Sequence, residues 1–82
     1  MNISNHKNEF QDFEIRFIIN QLSKHQYSHD PNEIYLMPIS FLINFLSMIQ
    51  LGSIGRTLAE CIIQKLETIQ NSKNNENITN HQ

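Results

Sequence analysis

Apolar positions recur at helical spacing in three separate stretches of the chain. In the first, 9–24, Phe10, Phe13 and Phe17 fall at i, i+3, i+7, and Ile15, Ile18, Ile19 and Leu22 at i, i+3, i+4, i+7. This pattern predicts one helix with two apolar stripes, separated by Glu14 and Gln21, with Asp12, Arg16, Asn20 and Ser23 facing water. Acidic Glu9 and Asp12 near its start and Lys24 near its end suit the helix dipole. In the second, 38–50, Ile39, Phe41, Leu42, Ile43, Phe45, Leu46, Met48 and Ile49 leave only a narrow polar strip of Ser40, Asn44 and Ser47. The third runs to about Gln70. Leu58, Ala59, Ile62, Ile63, Leu66 and Ile69 form one clean stripe, with Arg56, Glu60, Gln64, Glu67 and Thr68 outside it.

The connections are read from their breakers. Asp30-Pro31 ends any helix, because proline restricts the residue before it and lacks a donor, so 25–37 reads as a loop. Pro38 suits the first turn of the second helix. Gly52 and Gly55 allow a left-handed cap on that helix. Thr57 with Glu60 forms a candidate capping box for the third helix, and Ser53 is the rival N-cap. The expected organisation is an unstructured 1–8, a three-helix domain over 9–70 and a disordered tail over 71–82. The tail holds a single apolar residue, Ile78, and cannot offset the entropy of ordering. The fold class is all-α, a small three-helix domain.

With 82 residues there is room for one domain only. So short a chain shelters only about 60–65% of the surface it exposes when unfolded and is marginal alone. The first helix has two faces to bury and only two short neighbours to bury them. A homodimer is therefore expected, with Phe10, Phe13 and Phe17 as the interface and Phe41 and Phe45 as second choice. The net charge of −2 suggests no nucleic-acid coat and no basic membrane peptide. From Ile34 to Gly55 there is no charged residue. A membrane span would need about 20 mostly apolar residues, and here Pro38, Ser40, Asn44, Ser47 and Gln50 interrupt the run, so a buried central helix is expected. No apolar leader opens the chain, which predicts a cytoplasmic, reducing setting.

Candidate chemistry is sparse. His25 and His29 have the i, i+4 spacing of a metal pair, but beside Pro31 they read as exposed loop histidines, and no cofactor or metal is expected. The lone Cys61 sits off the third stripe and reads as a buried or boundary thiol, with an intermolecular disulfide or a redox role as the alternative. Paired carboxylates in apolar surroundings, a glycine-rich phosphate loop and a nucleophile elbow are all missing, so no enzyme is expected. The strip Ser40, Asn44, Ser47 reads as a solvent face or a close-approach surface. Its alternative is a hydrogen-bonded seam that sets register in a helical dimer.

Two resemblances add expectations. The stretch Ser47 to Ile63 resembles a helix-hairpin-helix nucleic-acid element through Leu51, Ile54, Gly55, Ala59 and Ile62, with Ser53 in place of the first key glycine. That resemblance implies phosphate contact by backbone N–H groups near Gly55, with Arg56 beside them. Over a longer span, Phe13 to Leu66 resembles the small enterobacterial biofilm-regulator family, YmgB/AriR. The shared features are an amphipathic first helix, a polar loop, the run Ile39, Leu42, Ile43, Leu46, and a closing helix with Leu58, Ile62, Ile63 and Leu66. This resemblance implies a helical dimer acting as a connector in stress and biofilm signalling. The leading expectation is thus a non-enzymatic regulator that dimerises and binds another protein. The nucleic-acid module is the alternative, and a chaperone or antitoxin-like partner is a third reading.

Overall fold

The computed structural model describes residues 1–27 and 30–80, with 73–80 described by their backbone alone. The described residues are all-helical, with 79% of residues in helix and no strand among them. A 3-10 helix, Ser4–Glu9, precedes four α-helices: α1 Asp12–Lys24, α2 Pro31–Leu36, α3 Ile39–Met48 and α4 Ser53–Asn80.

The three apolar stretches become α1, α3 and α4, and one core joins them. Ile15, Ile18 and Leu22 of α1 meet Ile39, Leu42, Phe45 and Leu46 of α3 and Ala59, Ile62, Leu66 and Ile69 of α4. The largest packing surface lies between α3 and α4, across the short turn at 49–52. The expected single stripe of the last helix is the buried one: Ala59, Ile62, Leu66 and Ile69 are buried, with Leu58 and Ile63 half-buried at its edges.

Several elements differ from the sequence reading. The stretch 25–37, read as loop, contains α2. Pro31 takes its first turn, and Asp30 caps it, the carboxylate accepting from the Asn32 N–H at 3.0 Å. An aspartate followed by a proline is a stop signal for one helix and a start signal for the next, and here it is the start. The stretch 1–8, read as unstructured, carries most of the 3-10 helix and buries Ile3 completely. The Met1 carbonyl accepts the Ile39 N–H at 2.9 Å, satisfying one of the free donors at the start of α3. Lys7 lies over the Tyr35 ring, 4.7 Å from its centroid, and ties this arm to α2. One buried isoleucine and two tethers offset the polarity of the segment.

The ends of the long helices also shift. α4 begins at Ser53, with the Arg56 N–H bonded to the Gly52 carbonyl at 2.8 Å. Thr57 is therefore inside the helix, and its hydroxyl donates back to the Ser53 carbonyl at 3.0 Å instead of forming a capping box. The backbone of α4 continues past Gln70 to Asn80, into the stretch read as a disordered tail; residues 81 and 82 lie outside those described. Neither glycine of the α3–α4 turn has positive φ, and α3 ends through extended Ile49. The left-handed cap occurs instead at the end of α1, on Gln26 with φ 65°. The Gln26 N–H bonds the Ser23 carbonyl at 3.1 Å and the Tyr27 N–H bonds the Leu22 carbonyl at 2.9 Å, a Schellman closure built without glycine.

Candidate functional site

The five phenylalanines proposed for an interface have different fates. Phe10 precedes α1 and turns into the core, only 7% exposed, with the Lys65 ammonium 5.7 Å from its ring centroid. Phe45 is buried as well. Phe17 and Phe41 are half-buried against the core, and Phe13 alone stands in water, 56% exposed. The two stripes of α1 are thus not two separate faces. Glu14 and Gln21, read as polar separators, are themselves buried.

Glu14 is the pivot of the α1–α4 seam. It is 3% exposed, and its Oε1 accepts both the Gln11 N–H at 2.8 Å and the Lys65 ammonium at 2.6 Å. The first bond completes a capping box on α1. The second is an ion pair from α1 to α4, whose lysine end remains partly in water. A carboxylate so deeply sheltered requires its charge to be met, and both partners meet it. The glutamate three residues after Gln11 was the readable half of this site. The lysine on α4 was not, because no local spacing brings position 65 to position 14.

Arg56 is committed in the same way. Its guanidinium donates to the Leu46 carbonyl at 2.8 Å and the Ile49 carbonyl at 2.5 Å, capping the end of α3 from the first turn of α4. These are acceptors that α3 cannot satisfy internally. Gly55 lies inside α4, and a Cβ there would meet Leu51 at an ordinary 3.4 Å. The pair Gly55 and Arg56, proposed for phosphate contact, therefore serves a helix-to-helix turn, and Lys65, the other nearby cation, is paired with Glu14. Cys61 is exposed, farther out than the boundary position expected, and sits among Glu9, Gln64, Lys65 and Thr68. His29 lies outside the described residues, and with it the His25–His29 pair. Among the described residues no cluster of His, Cys, Asp or Glu could hold a metal ion.

A groove of about 580 Å³ lies between the end of α1 and the outer side of α3. His25, Tyr27, Phe41, Asn44, Phe45, Met48, Ile49 and Gln50 line it. Its aromatic wall is ordered by edge-to-face contacts. His25 and Tyr27 meet Phe45 at 5.4 and 5.8 Å between centroids, and Tyr27 meets Phe41 at 5.6 Å. The left-handed Gln26 brings His25 and Tyr27 to the same ring. Strain of about 1 kcal/mol at that residue is held by the Schellman bonds on either side of it. Among the described residues, no Asp, Glu, Lys or Arg lines the groove. Phe41 and Phe45 stand out in the sequence, whereas His25 reads there only as a loop histidine and Tyr27 not at all, because only the chain reversal after α1 delivers these two to α3.

Ser40, Asn44 and Ser47 are all exposed in the single chain, with the Ser47 hydroxyl donating to the Ile43 carbonyl at 2.7 Å. No described helix is long and apolar enough to cross a membrane. Compared with known proteins, the chain matches no family model, no curated protein and no solved structure.

Proposed function

We propose that this chain is a small helical regulator that works by pairing with itself and binding another protein, without catalysing a reaction. The observation that carries this reading is the apolar surface left in water after the core has closed. Met48 is 83% exposed and Ile54 88%, both at the α3–α4 corner, and Leu36 and Phe13 are more than half exposed. Single exposed apolar side chains are ordinary on any soluble protein. Met48, however, borders the aromatic groove, so there the exposed atoms join into a continuous patch. The spacings shared with the biofilm-regulator family support the same reading, with a connector role in stress or biofilm signalling as its physiological form.

The test is the mass of the purified full-length chain by sedimentation over a range of concentrations. A mass of twice the monomer, insensitive to salt, is the expected result, because contacts between apolar faces are not screened. A monomer at every concentration would remove the dimeric part of the reading.

A further inference from the structure

The geometry points to a second copy of this chain as the occupant of the α3 groove, in a two-fold contact of α3 on α3 in which each Met48 enters the partner's groove. This rests on the self-pairing reading and specifies its surface. That surface differs from the Phe10, Phe13, Phe17 stripe suggested by periodicity.

A two-fold interface lays one patch on itself, so it must be self-complementary. A face carrying charge of one sign, or fixed charges out of register, meets its own repulsion there. The exposed side of α1 carries Asp12, Arg16 and Lys24, and that of α4 carries Glu60 and Glu67. From Ile34 to Gly55 there is no charge at all, and this segment contains all of α3 and the turn after it. The described lining of the α3 groove carries no Asp, Glu, Lys or Arg, so a copy can rest against it without meeting like charges there, in keeping with the scarcity of charge at the centres of homodimer interfaces.

Shape and side-chain chemistry agree with that choice. Ser40, Asn44, Ser47 and Met48 are exposed at i, i+4, i+7 and i+8 on α3, so they share one face. Asn44 and Met48 also line the groove, which places the groove beside that face. Serine and asparagine are small enough to let two helices approach closely. Asn44 brings an amide that can both donate and accept, so two copies meeting near it satisfy each other. Methionine is unbranched and polarisable, and its thioether makes favourable contacts with aromatic rings. The wall of Tyr27, Phe41 and Phe45 offers those rings, and the groove volume exceeds what one methionine side chain needs.

The test uses the full-length protein and reads its mass. Met48→Glu is expected to raise the dimer dissociation constant by about 100-fold or more, as a charge buried at an interface centre does, with helicity unchanged because Met48 touches water in the single chain. Asn44→Arg is expected to do the same from the neighbouring turn. Phe13→Asp is expected to leave the dimer intact. Met48→Cys in a Cys61→Ser background is expected to form an intermolecular disulfide when treated with diamide. A dimer that survives both Met48→Glu and Asn44→Arg but dissociates with Phe13→Asp would overturn this inference and leave the self-pairing reading standing. A wild-type chain that stays monomeric, its groove left for an unlike helix or a small molecule, would overturn both.

Discussion

The α1–α4 seam and the outer side of α3 are built from similar apolar material, yet one is closed and the other open. In the seam, Phe10 is covered by the chain itself, and Lys65 completes the cover by reaching across its ring to Glu14. On α3, Phe41 and Phe45 are braced by Tyr27 and His25, but none of the described residues fills the space in front of them. The difference is one of reach. α4 is long enough to lay a lysine stem along α1, whereas the turn after α1 delivers only two rings to the edge of α3. Amphipathic helices therefore do not reveal by composition which apolar face will be left over. That depends on which long side chains from elsewhere arrive to cover it.

Paired substitutions sharpen this contrast. Phe10→Ala should cost about 3–5 kcal/mol in denaturant unfolding, as loss of a buried aromatic does. Phe13→Ala, one turn away, should stay within about 0.5 kcal/mol. Equal effects would erase the distinction between the closed and open surfaces. Glu14→Ala removes both the partner of Lys65 and the acceptor for the Gln11 N–H, and should cost about 2 kcal/mol. The lysine end of the pair can turn to water, which keeps the loss below that of a fully enclosed ion pair. Arg56→Ala leaves the Leu46 and Ile49 carbonyls without that donor and should also cost about 2 kcal/mol. If the full-length chain binds DNA or RNA at low salt and Arg56→Glu weakens it, the capping role assigned to this side chain would be incomplete.

Smaller than the losses at Phe10, Glu14 and Arg56 are the effects expected at two backbone positions, which run against what glycine placement in the sequence suggests. Gln26→Gly should stabilise the chain by about 0.5–1 kcal/mol, because φ 65° is strained for glutamine and free for glycine. Gly55→Ala should stabilise it by a similar amount, because Gly55 is helical and its Cβ would find ordinary contact. Thermal unfolding resolves both. A loss of stability in Gly55→Ala would show that the α3–α4 turn needs its glycine after all.

Much of the architecture was legible before any coordinates. The period of the apolar residues located α1, α3 and α4, and the single stripe of α4 was read residue by residue. The start of α2 was also legible in Asp30 and Pro31, but the same two residues end a helix as readily as they begin one. The candidate site was legible only in part. Phe41 and Phe45 stood out on α3, but their partners Tyr27 and His25 lie beyond a chain reversal that glutamine, not glycine, performs. The burial of Ile3 was hidden by the polar residues around it.

What the sequence determined by itself is local and periodic: helices with apolar stripes, and an uncharged stretch from Ile34 to Gly55. Helical spacing is a property of neighbours along the chain, so it survives without any knowledge of the fold. Tertiary structure alone decided which stripe is sheltered and which is left open. Glu14 meets Lys65, Arg56 meets the end of α3, and Phe10 rather than Phe13 is covered, because burial and charge pairing depend on distances between residues far apart in the chain.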